Sequence, residues 1–184
     1  GSGKGIGVWD QSDGTRANIW ANRYNASTSA WGTPVLIETD NASNAFAPKI
    51  ALDASGNAIA VWEQSDGMRR NIWANRSSAG SAAWGTAALI ETDDTASAGD
   101  PQIAMDASGN AVAAWAQFDG TRNNVWANRY NASTLAWGTA TLVETAASTI
   151  FSPQVAVDAG GSAIVVWEQS DGTRSDVWAN RYSA

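Results

Sequence analysis

The chain has no cysteine and no histidine, and only two lysines, Lys4 and Lys49. Without cysteine there is no disulfide framework and no thiolate nucleophile. Without histidine the commonest general base and metal-ligating side chain is missing. No stretch approaches the ~18 apolar residues of a membrane helix, and no charged-then-apolar leader opens the sequence, so neither a span nor a signal peptide is expected in it. Positive charge is scarce: 11 Lys plus Arg stand against 18 Asp plus Glu, and the net charge of −7 repels phosphate backbones and anionic lipid. Nucleic acid and membranes are therefore not expected partners, and no cofactor or metal is expected.

What the chain has is tryptophan, 11 residues of 184, and its spacing is regular. Trp9, Trp62, Trp115 and Trp167 are separated by 53, 53 and 52 residues, and an 11-residue rhythm runs inside each unit through Trp20 and Trp31, Trp73 and Trp84, Trp126 and Trp137, then Trp178. The chain is a repeat array. The units read as a partial copy at 1–47, full copies at 48–100 and 101–152, and a partial copy at 153–184.

One full unit shows the local logic. Pro48–Asp53 reads as a first strand with proline at its start, Ala54–Asn57 as a turn, and Ala58–Glu63 as a second strand. Ser65-Asp66-Gly67 reads as a tight turn, Asn71–Arg76 as a third strand, and Ala88–Thr92, beyond a loop carrying Trp84-Gly85, as a fourth. The second and fourth strands are nearly continuous apolar runs, which implies cover on both faces and so stacking of unit on unit. The expected fold class is all-β: a β-propeller of about 53-residue, four-stranded blades, roughly 3.5 to 4 per chain. In blade order A to D the chain holds B-C-D, A-B-C-D twice, then A-B-C. Four blades with two incomplete, a head-to-tail dimer, and a piece of a longer array all fit that count.

The pattern Pro-Gln-Ile/Val-Ala-x-Asp-Ala-x-Gly-Asn/Ser-Ala-x-x-x-Trp, at Pro101–Trp115 and Pro153–Trp167, resembles the blade repeats of bacterial secreted β-propellers, sialidase-like and lectin-like ones among them. The resemblance implies a propeller fold, an extracellular or cell-surface location, and glycans as ligands.

Candidate ligand-binding residues recur with the repeat. The Asp-Gly-Thr/Met-Arg turn places Asp13 with Arg16, Asp66 with Arg69, Asp119 with Arg122, and Asp171 with Arg174. Carboxylate and guanidinium can take sugar hydroxyls while an indole covers the ring's apolar face, and Glu63, Glu168 and Trp73 complete that set of residue types. A plainer reading is that Asp-Gly shapes the hairpin and Arg pairs with a neighbouring acid. The Asn-Arg-Tyr/Ser runs at Asn22, Asn75, Asn128 and Asn180 read chiefly as interblade packing, with Arg stacking on Tyr24, Tyr130 or Tyr182 as the alternative. Trp31, Trp84 and Trp137 read as rim plugs or exposed platforms. Asp53-Ala54-Ser55-Gly56-Asn57 and its relatives offer one carboxylate each, which suits an Asx turn better than Ca²⁺. The copies differ most over 40–47, 93–100 and 146–152, so a specialised role would fall to Phe46, Asp100 or Phe151.

Because every polar candidate recurs, a single reactive centre of dissimilar groups is not expected, and the chain reads as a non-enzymatic binder of glycans through repeated sites. The alternative is a structural, self-assembling repeat module whose partner is its own copy or the flanking blades of a longer chain.

Overall fold

The computed structural model describes residues 5–40, 43–93, 95–144 and 148–183. The opening Ser2-Gly3, the first two residues of Asn41-Ala42-Ser43, and parts of the three variable connectors lie outside them. All sixteen elements of the described residues are strands, in four antiparallel sheets. The first sheet holds β1 (Gly5–Ser12), β2 (Ala17–Asn25), β3 (Ala30–Trp31) and β4 (Val35–Leu36). The second holds β5 (Ala45–Leu52), β6 (Ala58–Ser65), β7 (Arg70–Ser77) and β8 (Ala88–Leu89). The third holds β9 (Ala98–Met105), β10 (Ala111–Phe118), β11 (Asn123–Asn131), β12 (Ala136–Trp137) and β13 (Thr141–Leu142), and the fourth β14 (Ile150–Val157), β15 (Ala163–Ser170) and β16 (Ser175–Tyr182). The strand nearest the chain start in each sheet neighbours its counterpart in the next: β1 beside β5, β5 beside β9, β9 beside β14.

Three details depart from the sequence expectation. Pro48, Pro101 and Pro153 do not open their strands; β5, β9 and β14 begin three residues earlier. The ladder slips at that point, between Phe46 and Lys49 on β5, between Ala114 and Ala116 opposite β9, and between Phe151 and Gln154 on β14. A bulge is where a residue without an N–H disturbs pairing least. The residue before each proline, Ala47, Asp100 or Ser152, takes a left-handed φ of 51–55° to carry the bend. Second, the fourth strand is a two-residue ladder, prolonged by one bond from Ile37, Ile90 or Val143 N–H to Ile19, Ile72 or Val125 carbonyl. Third, the Asp-Gly turn is a four-residue loop: Ser65 pairs with Arg70, and Asp66 N–H donates to Arg69 carbonyl. Gly67 there has φ +96°, which a Cβ would penalise.

The core lies between the sheets. Period-2 alternation sends Ile19 and Ala21 of β2 forward onto Ala45, Ala60 and Trp62 of the second sheet. Ile59, Val61, Ile72 and Ala74 repeat that role against Ala111, Ala113 and Trp115 of the third, and Val112, Ala114, Val125 and Ala127 against Ala163, Val165 and Trp167 of the fourth. Trp62 and Trp115 are fully buried. An indole removing roughly 200 Å² from water contributes about 5 kcal/mol before its entropy cost. Each buried Nε1–H is satisfied two residues along, Trp62 by Gln64 Oε1 at 2.9 Å and Trp115 by Gln117 Oε1 at 3.0 Å. The two glutamine amides in turn donate to the carbonyls of Asp40 and Asp93, in the connectors that arrive from the preceding sheets.

Candidate functional site

The Asp-Gly loops come first, because the sequence points to them. In each, one carboxylate oxygen is taken by the loop itself: Asp13 Oδ1 accepts Thr15 N–H (2.8 Å), Thr15 Oγ1–H (2.6 Å) and Arg16 N–H (2.9 Å). Asn18 Nδ2 fills Oδ2 at 3.0 Å. Asp119 repeats the set with Thr121, Arg122 and Asn124. These bonds, the threonine hydroxyl foremost, hold Asp13 and Asp119 well below the ordinary carboxylate range and lower Asp171; at Asp66, where Met68 replaces threonine, the Arg69 N–H leads. Arg122 approaches Asp119 at 3.8 Å and donates from Nε to Asn124, and Arg174 sits 3.5 Å from both Asp171 and Asp176. Arg16 lines an open depression with Thr15, Ser43 and Asn44, and Arg69 is half-buried in its loop.

Glu63 and Trp73 are not brought together. Trp73 pairs across the ladder with Trp62 and faces the first sheet, whereas Glu63 pairs with Ile72 and faces the third. The buried Glu63 carboxylate accepts Asp100 N–H at 2.8 Å and Arg70 Nη1–H at 3.0 Å, tying the second sheet to the bend of the third. Glu168, its counterpart in the fourth sheet, is exposed, as are Phe46 and Phe151. The Asp53, Asp106 and Asp158 turns are Asx turns, each carboxylate accepting two backbone N–H groups of its own loop.

The open site lies elsewhere, at the outer rim where the second and third sheets meet. Trp84 is carried by a Trp-Gly-Thr segment held to β7: Gly85 N–H donates to Arg76 carbonyl at 2.9 Å, and Asn75 Nδ2 donates to Gly85 carbonyl at 3.0 Å. A side chain at Gly85 would crowd this contact, its Cβ standing 3.3 Å from Asn75 Oδ1. Across the junction Trp137 pairs with Tyr130, ring centroids 5.5 Å apart at 63°. Trp84, Trp137, Tyr130, Arg76 and Leu135 wall a cleft of about 440 Å³, within the roughly 300–1,000 Å³ of small-ligand pockets. Leu135 is 61 % exposed at its lip. Tyr130 is buried, its hydroxyl lacks a hydrogen-bond partner among the described residues, and burial pushes its pKa up.

The arginines distinguish this junction from its neighbours. Arg23 crosses the first junction to Gly56 carbonyl (2.9 Å) and Ser77 Oγ (3.2 Å), leaving a space of about 40 Å³. Arg129 crosses the third to the carbonyls of Gly161 and Ser183 and stacks on the Tyr182 ring at 5.3 Å. Arg76 stays on its own sheet, its guanidinium donating to Ser78 Oγ at 3.2 Å. The facing position is Ser77 at the first junction, where it accepts the arginine, and the Tyr130–Trp137 pair at the second, where bulk stands in its place. Tyr182 faces the third junction without excluding Arg129, so what sets the second apart is a tyrosine packed on Trp137. Recognising it requires knowing which unit's arginine meets which unit's aromatic.

No family model matches the chain, and no curated protein does. Solved structures do match. The sialidase Hz136 from Hadza microbes aligns over 100 % of this chain and 44 % of its own with TM-score 0.69 and 15 % identity. A protein of unknown function from Dyadobacter fermentans aligns over 97 % of this chain and 50 % of its own, with TM-score 0.69 and 10 % identity. An ulvan lyase of a new polysaccharide lyase family, bound to -[GlcA(1-4)Rha3S]-, aligns over 90 % and 47 %, with TM-score 0.64 and 12 % identity. The chain thus spans about half the length of these proteins and shares their all-β, propeller-like fold.

Proposed function

We propose that this chain is a non-enzymatic, propeller-like glycan-binding module, its four sheets serving as blades, and that the cleft between the second and third sheets is its main site. The observation that carries the reading is the wall itself: two indoles and a phenol beside a guanidinium, in a cleft large enough for a pyranose. Aromatic faces cover the apolar side of a sugar, and the guanidinium and rim hydroxyls take its oxygens. The lining contains no carboxylate, whereas glycosidic cleavage calls for a pair of them, which favours binding over hydrolysis. The sialidase and the lyase act on glycans, and their likeness in fold makes a glycan the natural ligand class to test. An extracellular or cell-surface location belongs to the same proposal.

Titration calorimetry with a panel of oligosaccharides tests it. A Kd of roughly 1 mM, about 4 kcal/mol, is expected for a shallow rim site, and Trp137→Ala should abolish the heat. Absence of heat across the panel at tens of millimolar sugar defeats the reading, and hydrolysis of any member defeats its non-enzymatic part.

A second reading, assembly with a further sheet of the same kind, draws on the fourth sheet. Ile164 and Val177 are 55 % and 80 % exposed there, while their counterparts Ile59 and Ile72 are buried. Molar mass by light scattering decides it: a monomer at all concentrations removes self-assembly.

A further inference from the structure

Resting on the glycan reading, we propose that the sugar taken by the second-junction cleft carries a carboxylate, which Arg76 receives. Arg76 is the one charged residue in the lining, in a chain with seven more acids than bases. A guanidinium presents five N–H donors. Arg23 and Arg129 spend theirs across their junctions on carbonyls of the facing sheet. Among the described residues the Arg76 guanidinium makes a single hydrogen bond, to Ser78, and no carboxylate lies within ion-pair distance of it.

The acid that Arg76's own sheet brings to the junction is spoken for. Asp53 packs beside Gly109 of the third sheet, but its carboxylate accepts Gly56 N–H at 2.7 Å, Asn57 N–H at 2.8 Å and the Asn57 side-chain amide. The cleft therefore offers a planar, forked cation next to aromatic walls, with no internal anion to compete. A carboxylate matches that fork in geometry and charge, and a pyranose ring bearing it can lie against Trp84 or Trp137. A neutral sugar would meet the same walls while leaving the fork to water.

The test uses a matched pair, methyl glucuronide and methyl glucoside, which differ in a carboxylate against a hydroxymethyl group, titrated calorimetrically into the whole chain. A charge-assisted contact predicts that the glucuronide binds about ten- to a hundredfold more tightly. That advantage should shrink as salt is raised from about 0.05 to about 0.5 M, where screening shortens to a few ångströms. Arg76→Gln should bring the two sugars to equal affinity, and Arg76→Lys should keep a salt-dependent preference, since it retains charge without the fork. Equal binding of both sugars by the native chain, or a preference that survives Arg76→Gln, overturns the inference and leaves the glycan reading standing. Acetate that competes as well as the glucuronide overturns it too, by making the cleft an anion site indifferent to the sugar. Failure of both sugars to bind, with the oligosaccharide panel also silent, removes the glycan reading itself.

Discussion

Replacing the clasp asparagine by alanine at each of its four repeat positions gives an internally controlled measure of what holds the sheets together. Asn128 is fully buried and its Nδ2 donates to Ile90 carbonyl of the preceding sheet at 2.8 Å and to Gly138 carbonyl of its own at 3.0 Å. Asn75 does the same with Ile37 (2.7 Å) and Gly85 (3.0 Å). Asn180 keeps only the cross-junction bond, to Val143 at 2.6 Å, and Asn22 only the local one, to Gly32 at 3.1 Å. A net bond is worth about 1 kcal/mol, and a buried carbonyl left bare costs about 1–3 kcal/mol. Asn128→Ala and Asn75→Ala should therefore each cost roughly 2–4 kcal/mol, Asn180→Ala roughly 1–2 kcal/mol, and Asn22→Ala under about 1 kcal/mol. Urea unfolding followed by tryptophan fluorescence reads these as shifts in midpoint at constant slope. If Asn22→Ala costs as much as Asn128→Ala, the cross-junction bond is not what the asparagine contributes, and the clasp argument fails.

Two further outcomes follow from buried ionisable groups. Burial raises Glu38 to about 7; one carboxylate oxygen receives Ile19 N–H at 3.3 Å and the other has no hydrogen-bond partner among the described residues. The folded state then holds a proton that the unfolded chain releases near 4.5, so stability falls as pH rises from about 4.5 to 7; at about 1.4 kcal/mol per pH unit the loss is bounded near 3.5 kcal/mol. Glu38→Gln should flatten that slope in urea midpoints taken from pH 4 to 8, and an unchanged slope refutes the assignment. Tyr130→Phe removes a hydroxyl with no partner and should leave stability within about 0.5 kcal/mol or raise it, whereas a loss above about 1.5 kcal/mol would reveal a bond to that hydroxyl.

Much of this architecture is legible in the sequence because the repeat writes it four times. The indole spacing, the second and third strands of each unit, and the Asx turns at Asp53 and Asp106 all depend on local chemistry, where a residue's neighbours in sequence are its partners. The prolines mislead because a missing N–H suits a strand's start and a bulge equally well, and only the opposing strand distinguishes them. The Asp-Gly loops attract a functional reading because Asp beside Arg looks like a sugar site. In the fold, Asp13 and Asp119 are occupied by their own backbone. The cleft escapes a reading along the chain because it is a difference between junctions: Arg76 meets a tyrosine packed on Trp137, whereas Arg23 meets Ser77 and Arg129 stacks on Tyr182. A pattern built on what the copies share passes over the one place where they part.

The arginine that stays home also has a mechanical meaning. Between the second and third sheets the inner end is pinned by Glu63 at the Asp100 bend, while the outer end lacks the latch that Arg23 and Arg129 supply to their junctions. The Asn128 clasp to Ile90 carbonyl still crosses here, so the junction is held at both ends but has one tie fewer than it could have. Whatever molecule spans Trp84 and Trp137 would close that gap from outside, stiffening the whole row of sheets by doing what the protein's own side chain leaves undone.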